Sequence, residues 1–453
     1  MWTMIDTLGP IVEGLDGAFT QPSLATAGEL LLAWVMCLGR HTLRRAAENA
    51  QPDTGPDHFW RHDLDRYYNY FERSAWTPRG LAYHLGVLIV TRLKLLGVIT
   101  LVVDDTLAHK RGKSVWGIGW FRDAVASTHK RVATASGHNW VVLAVAICVP
   151  GTGAPILALP LLARLHQPGK GQPSCAALAR EMLGEVLSWW PERRFTLVGD
   201  GAYATKTFLA DLDERVTYVG RLRGDAAVFD PQAPAARPGQ RGPKAKKGPR
   251  LPKPKEAAAK ADRRRTAGGD WCWQELAVSI YGSVRTLQAL AYPVVWPTVL
   301  GHRVIQIVVV RDPSGRMRDC YLFTTDLQAS LSWVITMFAW RWAIEVLFRA
   351  SKQEMDLEAP QHWCQASVEK VAPWVWSMQS VVMVWYLTAG RALPEAVALR
   401  ARMGEWDSEW SLRHMIQVLR QATLNATINP NSANQAELCE MVNTLKNWAN
   451  LAA

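Results

Sequence analysis

The chain has 453 residues, 49% of them apolar and 20% charged, a balance that excludes global disorder and fits two or three structural units. Its net charge of +11 is concentrated: residues 231–265 hold twelve Lys or Arg against Glu256 and Asp262, and the rest is near neutral. A basic segment on a neutral body points to a polyanionic partner.

Seven scattered Cys with no CxxC pair argue against a disulfide framework or a zinc knuckle and for a reducing compartment. Asp6, Glu13 and Asp16 stand where a signal peptide would need basic residues, so none is expected. Most of the 22 Trp are expected in the core.

Residues 1–96 read as helical. Leu30, Leu31, Trp34, Val35 and Leu38 recur at helical spacing after Pro22 and Ser23, with Arg40, Arg44 and Arg45 in the expected last turn. Residues 57–72 predict a second helix. Thr77 before Pro78 predicts the capped start of a third, running to about Leu96.

The period changes at residues 98–103, a β-branched run ending in Asp104 and Asp105. Residues 140–149 and 155–161 predict two strands joined by a Pro/Gly hairpin, which rules against a membrane span there. A helix at 176–190, a strand at 195–199 ending in Asp200, a helix at 204–212 and a strand at 216–222 complete an α/β pattern with a mixed sheet.

Residues 231–268 are Pro, Ala, Gly, Lys and Arg with almost no large apolar side chain, and predict a disordered basic loop. Short β-branched runs follow to Thr325 and predict a β-rich unit of their own. Helices are expected at 330–355 and 366–390, the second buried rather than membrane-spanning because Pro373, Ser377, Gln379 and Ser380 interrupt it.

Asp105 and Asp200 at strand ends, and Glu345 in an apolar stretch of helix, are candidate catalytic acids; open sheets place their sites at such strand ends. Carboxylates without nearby His or Cys suit a hard cation such as Mg²⁺. Arg341, Glu345, Phe348 and Lys352 share one helix face, so two cations bracket the acid and suit backbone phosphates. Lys110, Arg111, Arg221 and Arg223 are further candidate phosphate contacts, whereas His138 has no ligand partner at useful spacing and reads as structural.

Phe338-x2-Arg341-x3-Glu345-x6-Lys352 resembles the Tyr-Arg-Glu-Lys signature of bacterial insertion-sequence transposases of the DDE superfamily, with Phe338 in place of the Tyr. Val103-Asp-Asp-Thr106 resembles the family's first-acid motif, Gly199-Asp-Gly-Ala-Tyr203 its second. Gly137-His-Asn-Trp140 and Val219-Gly-Arg-Leu-Arg223 look similar to one branch of the group.

The resemblance implies Asp105, Asp200 and Glu345 as catalytic metal ligands for Mg²⁺ or Mn²⁺, two ions in all. It implies a ribonuclease H-like mixed-sheet core interrupted by a β-rich insertion. The implied layout is a helical DNA-binding domain at 1–96, a core in two parts at 97–230 and 329–392, the basic loop at 231–268, the insertion at 269–328, and a helical C-terminal region at 393–453. It also implies cleavage and strand transfer on double-stranded DNA by a homodimer, in the cytoplasm at the bacterial nucleoid, with no membrane partner. Two alternatives stay open: a silent transposase-derived DNA-binding protein, and a ribonuclease H-like nuclease without strand transfer.

Overall fold

A computed structural model describes residues 2–50, 62–128, 130–149, 155–232, 247–263, 272–404 and 407–427. Five helices open the chain: α1 (Gly9–Glu13), α2 (Gln21–Met36), α3 (Leu43–Ala50), α4 (His62–Glu72) and α5 (Pro78–Arg92). The Thr77 hydroxyl accepts from the Gly80 N–H, so the expected cap opens α5. The expected single helix to Thr42 breaks after Met36, and Gly39 turns the chain at φ +97°. Arg40 therefore lies in a loop, and Arg44 and Arg45 belong to α3 rather than to a last turn of α2.

The next elements are β1 (Ile99–His109), β2 (Gly119–Arg122), β3 (Thr134–Ile147), β4 (Leu157–His166), α6 (Cys175–Trp189), β5 (Phe195–Gly199), α7 (Lys206–Leu209) and β6 (Val216–Arg221). β4, β3 and β1 pair antiparallel, while β1, β5 and β6 run parallel. Three antiparallel strands followed by two parallel strands on the far side of β1 is the ribonuclease H-like arrangement, as expected. The turn expected between β3 and β4 lies largely outside the described residues.

The basic segment departs from expectation. Its described part, residues 247–263, includes α8 (Pro254–Arg263), whose Ala257, Ala258 and Ala261 are buried in the common core. A loop reading failed here because three Ala on one face bury apolar surface without any large side chain. Residues 233–246 and 264–271 lie outside the described residues.

The β-rich region then supplies β7 (Gln274–Ile280), β8 (Ser283–Val295), α9 (Pro297–Leu300), β9 (Val304–Arg311) and β10 (Cys320–Thr324). These strands are not a separate sheet. β10 pairs antiparallel with β6, from Leu322 against Arg221 to Thr324 against Val219, and the strand order continues β9, β8, β7. The extension removes the open edge that β6 would otherwise expose.

Helices α10 (Leu331–Trp340) and α11 (Trp342–Gln353) are interrupted at Arg341, inside what the sequence predicts as one helix. The chain continues with α12 (Gln365–Thr388), α13 (Pro394–Arg400) and α14 (Leu412–Thr427). α12 is buried along most of its length and packs against β4, α5 and α14. Its own Trp374, Trp376 and Trp385 are fully buried, as is Trp34 packed on Trp374, and the Trp34 indole N–H donates to the Met355 carbonyl at 3.0 Å. The N-terminal helices thus share one continuous apolar core with the sheet.

Candidate active site

β1 is longer than the sequence reading suggests, and the two acids sit within it rather than at its end. Their position is nonetheless special. The parallel ladder of β1 with β5 stops at Val103 opposite Gly199, and the next residues on the two strands are Asp104 and Asp200. The strands part there, opening the crevice at the carboxyl ends of a parallel pair.

Neighbouring residues on a strand face opposite sides of the sheet, and Asp104 and Asp105 have different partners accordingly. Asp104 accepts from its neighbour's backbone N–H at 2.9 Å and pairs with the Arg341 guanidinium at 2.9 Å. The other arm of Arg341 pairs with Glu345, so one guanidinium bridges β1 to α11. Burial pushes the Asp104 carboxyl up to about 7; Arg341 pulls it back, and Asp105 and Asp200 push it further.

Asp105 accepts only from neutral groups, the Tyr203 hydroxyl at 3.1 Å and the Asn139 amide at 3.2 Å. Asp200 accepts the Ala202 backbone N–H, the turn that carries it toward Tyr203. Among the described residues, Asp105 and Asp200 form no ion pair, so the crevice holds two carboxylates without a bonded cation. Such an arrangement costs stability unless something positive enters it.

Gly199 and Gly220 explain why these motifs carry glycine. A Cβ at Gly199 would meet the Tyr218 hydroxyl at 2.7 Å, and one at Gly220 would meet the same ring at 2.4 Å. Tyr218 is fully buried on β6 beside the strand that leads to Asp200, its hydroxyl without a hydrogen-bond partner among the described residues, and burial raises its pKa, with Asp200 adding to the shift.

The predicted phosphate contacts divide. Arg341 stands in the crevice, and its guanidinium carbon lies 5.9 Å from the Phe338 ring centre. Lys352 donates to the Leu107 carbonyl at 2.5 Å and lies 3.6 Å from Glu358. Lys110 is half-buried and donates to the carbonyls of Glu358 and Pro360 at 2.9 and 2.8 Å; loss of solvation holds its ammonium down to about 8. Both lysines tie β1 to the chain following α11.

Arg111 lies in the loop after β1. Arg221 is exposed at the end of β6, and Arg223 falls past the strand, where it pairs with Asp225 at 3.0 Å. His138 is buried, donates its Nε2–H to the Trp116 carbonyl at 2.9 Å, and is pushed down to about 4 by burial, in keeping with a structural role.

Sequence reading passed over Asn139, Tyr203 and Asp104 as site residues. Asn139 and Tyr203 sit inside quoted motifs, so a signal existed. The difference between Asp104 and Asp105 required knowing which face of β1 receives α11. Among the described residues no three His, Cys, Asp or Glu side chains reach metal-ligand spacing together, because Arg341 joins Glu345 to Asp104 rather than to Asp105.

A ribonuclease H-like sheet with acids where its parallel strands part defines a class of nucleic-acid-cutting protein. The DDE superfamily endonuclease family matches residues 16–282, more than half of the sequence, and the chain belongs to that family. None of the curated proteins matches it. A cryo-EM structure of a piggyBac transposase synaptic complex with hairpin DNA is similar over 92% of this chain and 76% of that one, at 11% identity and a TM-score of 0.38.

Proposed function

We propose that the protein is a DNA transposase that cleaves the ends of its own element and joins them to target DNA. The observation that supports this most is that β1 and β5 part at Val103 and Gly199, just before Asp104-Asp105 on one strand and Asp200 on the other, with no ion pair to Asp105 or Asp200 among the described residues. Both offer carboxylate oxygens, which fits Mg²⁺ or Mn²⁺.

Asp105 and Asp200 would hold such an ion, and Glu345 would join them from α11 once the Arg341 guanidinium that now pairs it with Asp104 turns to a phosphate. Asp104 is the weaker candidate because its charge is already paired with the Arg341 guanidinium, whereas Asp105 accepts from the neutral Tyr203 hydroxyl and Asn139 amide. Bound there, a divalent ion supplies an activated water and neutralises charge on the scissile phosphate, and a second ion supports the leaving oxygen.

The chain's own residues set the geometry. Tyr203 and Asn139 fix the orientation of Asp105 with two hydrogen bonds. Arg341 holds Asp104 and Glu345 in place and presents a guanidinium in the crevice, where an incoming phosphate competes for it. No side chain in this arrangement acts as a covalent nucleophile. In this reading the partner is double-stranded DNA, two copies pair two ends, and the protein works at the bacterial nucleoid.

The test uses purified full-length protein and a plasmid carrying the reading frame with its flanking DNA. Nicking at two flanking positions in Mg²⁺ or Mn²⁺ but not in EDTA, followed by joining of the freed 3′-hydroxyls to a second plasmid, is the expected result. Nicking without joining would favour the plain nuclease. Binding without any cleavage in either metal would favour the silent DNA-binding protein.

A further inference from the structure

An open cavity of about 640 Å³ lies beyond the acidic crevice, between the loop after β1 and the chain after α11. Its walls are pinned to each other. The Trp116 N–H donates to the Trp363 carbonyl at 3.0 Å, and Lys110 clamps Glu358 and Pro360. Gly112, at φ +125°, turns the loop back over the opening.

The lining carries a mixed but readable chemistry. Arg40, Arg111 and Lys113 border the cavity, and Arg111 and Lys113 form no ion pair among the described residues. The acids that line it are already engaged, Asp356 by His41 and Glu358 by His109 and Lys352, which leaves the cavity positive. Trp363 is 68% exposed on the wall, its ring face open to solvent. His362 is buried, and its Nε2 has no hydrogen-bond partner among the described residues. Burial and Lys110 keep that imidazole neutral, so it can accept or donate to an uncharged group.

The geometry points to a subsite for an unpaired nucleotide of the DNA strand, its base stacked on Trp363 and its phosphate held by Arg111 and Lys113. Aromatic faces combined with cations are how single strands are bound without sequence readout. The position suits a strand leaving the crevice. β1 runs from Asp105 to His109 at the cavity, about 13 Å at ~3.3 Å per residue, or about four nucleotides at ~3.4 Å each. The inference rests on the DNA-cleaving reading above, yet its test does not depend on cleavage.

The probes are a blunt duplex of arbitrary sequence and the same duplex with a single-stranded 3′ overhang carrying 2-aminopurine, each titrated with full-length protein in EDTA. Wild type is expected to bind the overhang about tenfold tighter than the blunt duplex and to quench 2-aminopurine, since stacking on one aromatic ring is worth ~1–3 kcal/mol. Trp363→Ala should lose the quenching and the preference, while Arg111→Ala should weaken binding and lower its salt dependence. Equal affinity of wild type for both duplexes, or a preference surviving in Trp363→Ala, overturns the subsite but not the DNA reading. Wild type binding neither duplex at low salt overturns both. Displacement of the overhang by micromolar deoxynucleoside monophosphate would assign the cavity to a free nucleotide instead.

Discussion

The same two elements, β1 and α11, carry two charge clusters of opposite design. In the crevice, Asp104 and Glu345 share one guanidinium, and Asp105 and Asp200 have no ion pair among the described residues. At the far ends of the same elements, the charges of His109, Asp123, Glu358, Lys110 and Lys352 are matched. His109 bridges Asp123 at 2.9 Å and Glu358 at 3.0 Å, and the lysines satisfy main-chain carbonyls. The first cluster stores repulsion and the second relieves it. Retained repulsion marks a place awaiting a cation, whereas a satisfied network fixes one loop against another.

Removing charge from the two clusters should therefore have opposite effects on stability. Asp105→Asn, Asp200→Asn and Glu345→Gln are each expected to lower metal-dependent nicking by about a thousandfold or more. Asp200→Asn should at the same time leave the thermal midpoint unchanged or raise it, because a repelling carboxylate has gone. Calorimetry beside a plasmid-nicking assay reads both. A variant that unfolds earlier and still nicks would place Asp200 with the structural cluster.

In the satisfied cluster the largest expected loss is from Lys110→Met. It orphans the carbonyls of Glu358 and Pro360 and should cost about 2 kcal/mol in chemical denaturation, at ~1–3 kcal/mol for a buried unsatisfied polar group. The pH dependence sharpens the point. Lys110 is held down to about 8 in the folded chain, below the ~10.4 of a free lysine. Between those values the unfolded chain binds the extra proton, so stability rises with pH. The advantage of wild type over Lys110→Met should widen from pH 8 toward pH 10 and stay flat below pH 7.

The smallest effects belong to cations outside both clusters. Arg223 is highly exposed and already paired with Asp225, so Arg223→Ala should change stability by less than about 1 kcal/mol. Arg221→Ala should weaken duplex binding and reduce the slope of log affinity against log salt by about one, if its exposed guanidinium meets a phosphate. A slope unchanged in Arg221→Ala, measured by fluorescence anisotropy across salt, would remove β6 from the DNA-facing surface.

Much of the fold is legible because local rules governed it. The β-branched run before Asp104, the strand ending at Gly199 and the Thr77-Pro78 cap each follow from residue chemistry over a few positions, and each stands where the sequence puts it. Asp200 is at the end of its strand for the same reason. α8 and the break at Arg341 were not legible. Alanines alone give a weak apolar signal, and Arg341 leaves the helix pattern as its guanidinium bridges Asp104 and Glu345 across the crevice.

By itself the sequence determined which residue types recur at which spacing, hence the order of strands and helices, Asp200 just past its strand end and the one helix face shared by Arg341, Glu345 and Lys352. Only the tertiary structure decided how those residues are used. It ran the β-rich region onto β6 as part of the same sheet, and it sank α8 and the N-terminal helices into the common core. It turned Asp104 toward Arg341 and Asp105 toward Tyr203, and it spent Lys110 and Lys352 on main-chain carbonyls. Side-chain chemistry is a property of the residue, but which partner a charge finds depends on strands and helices hundreds of positions apart meeting in one place.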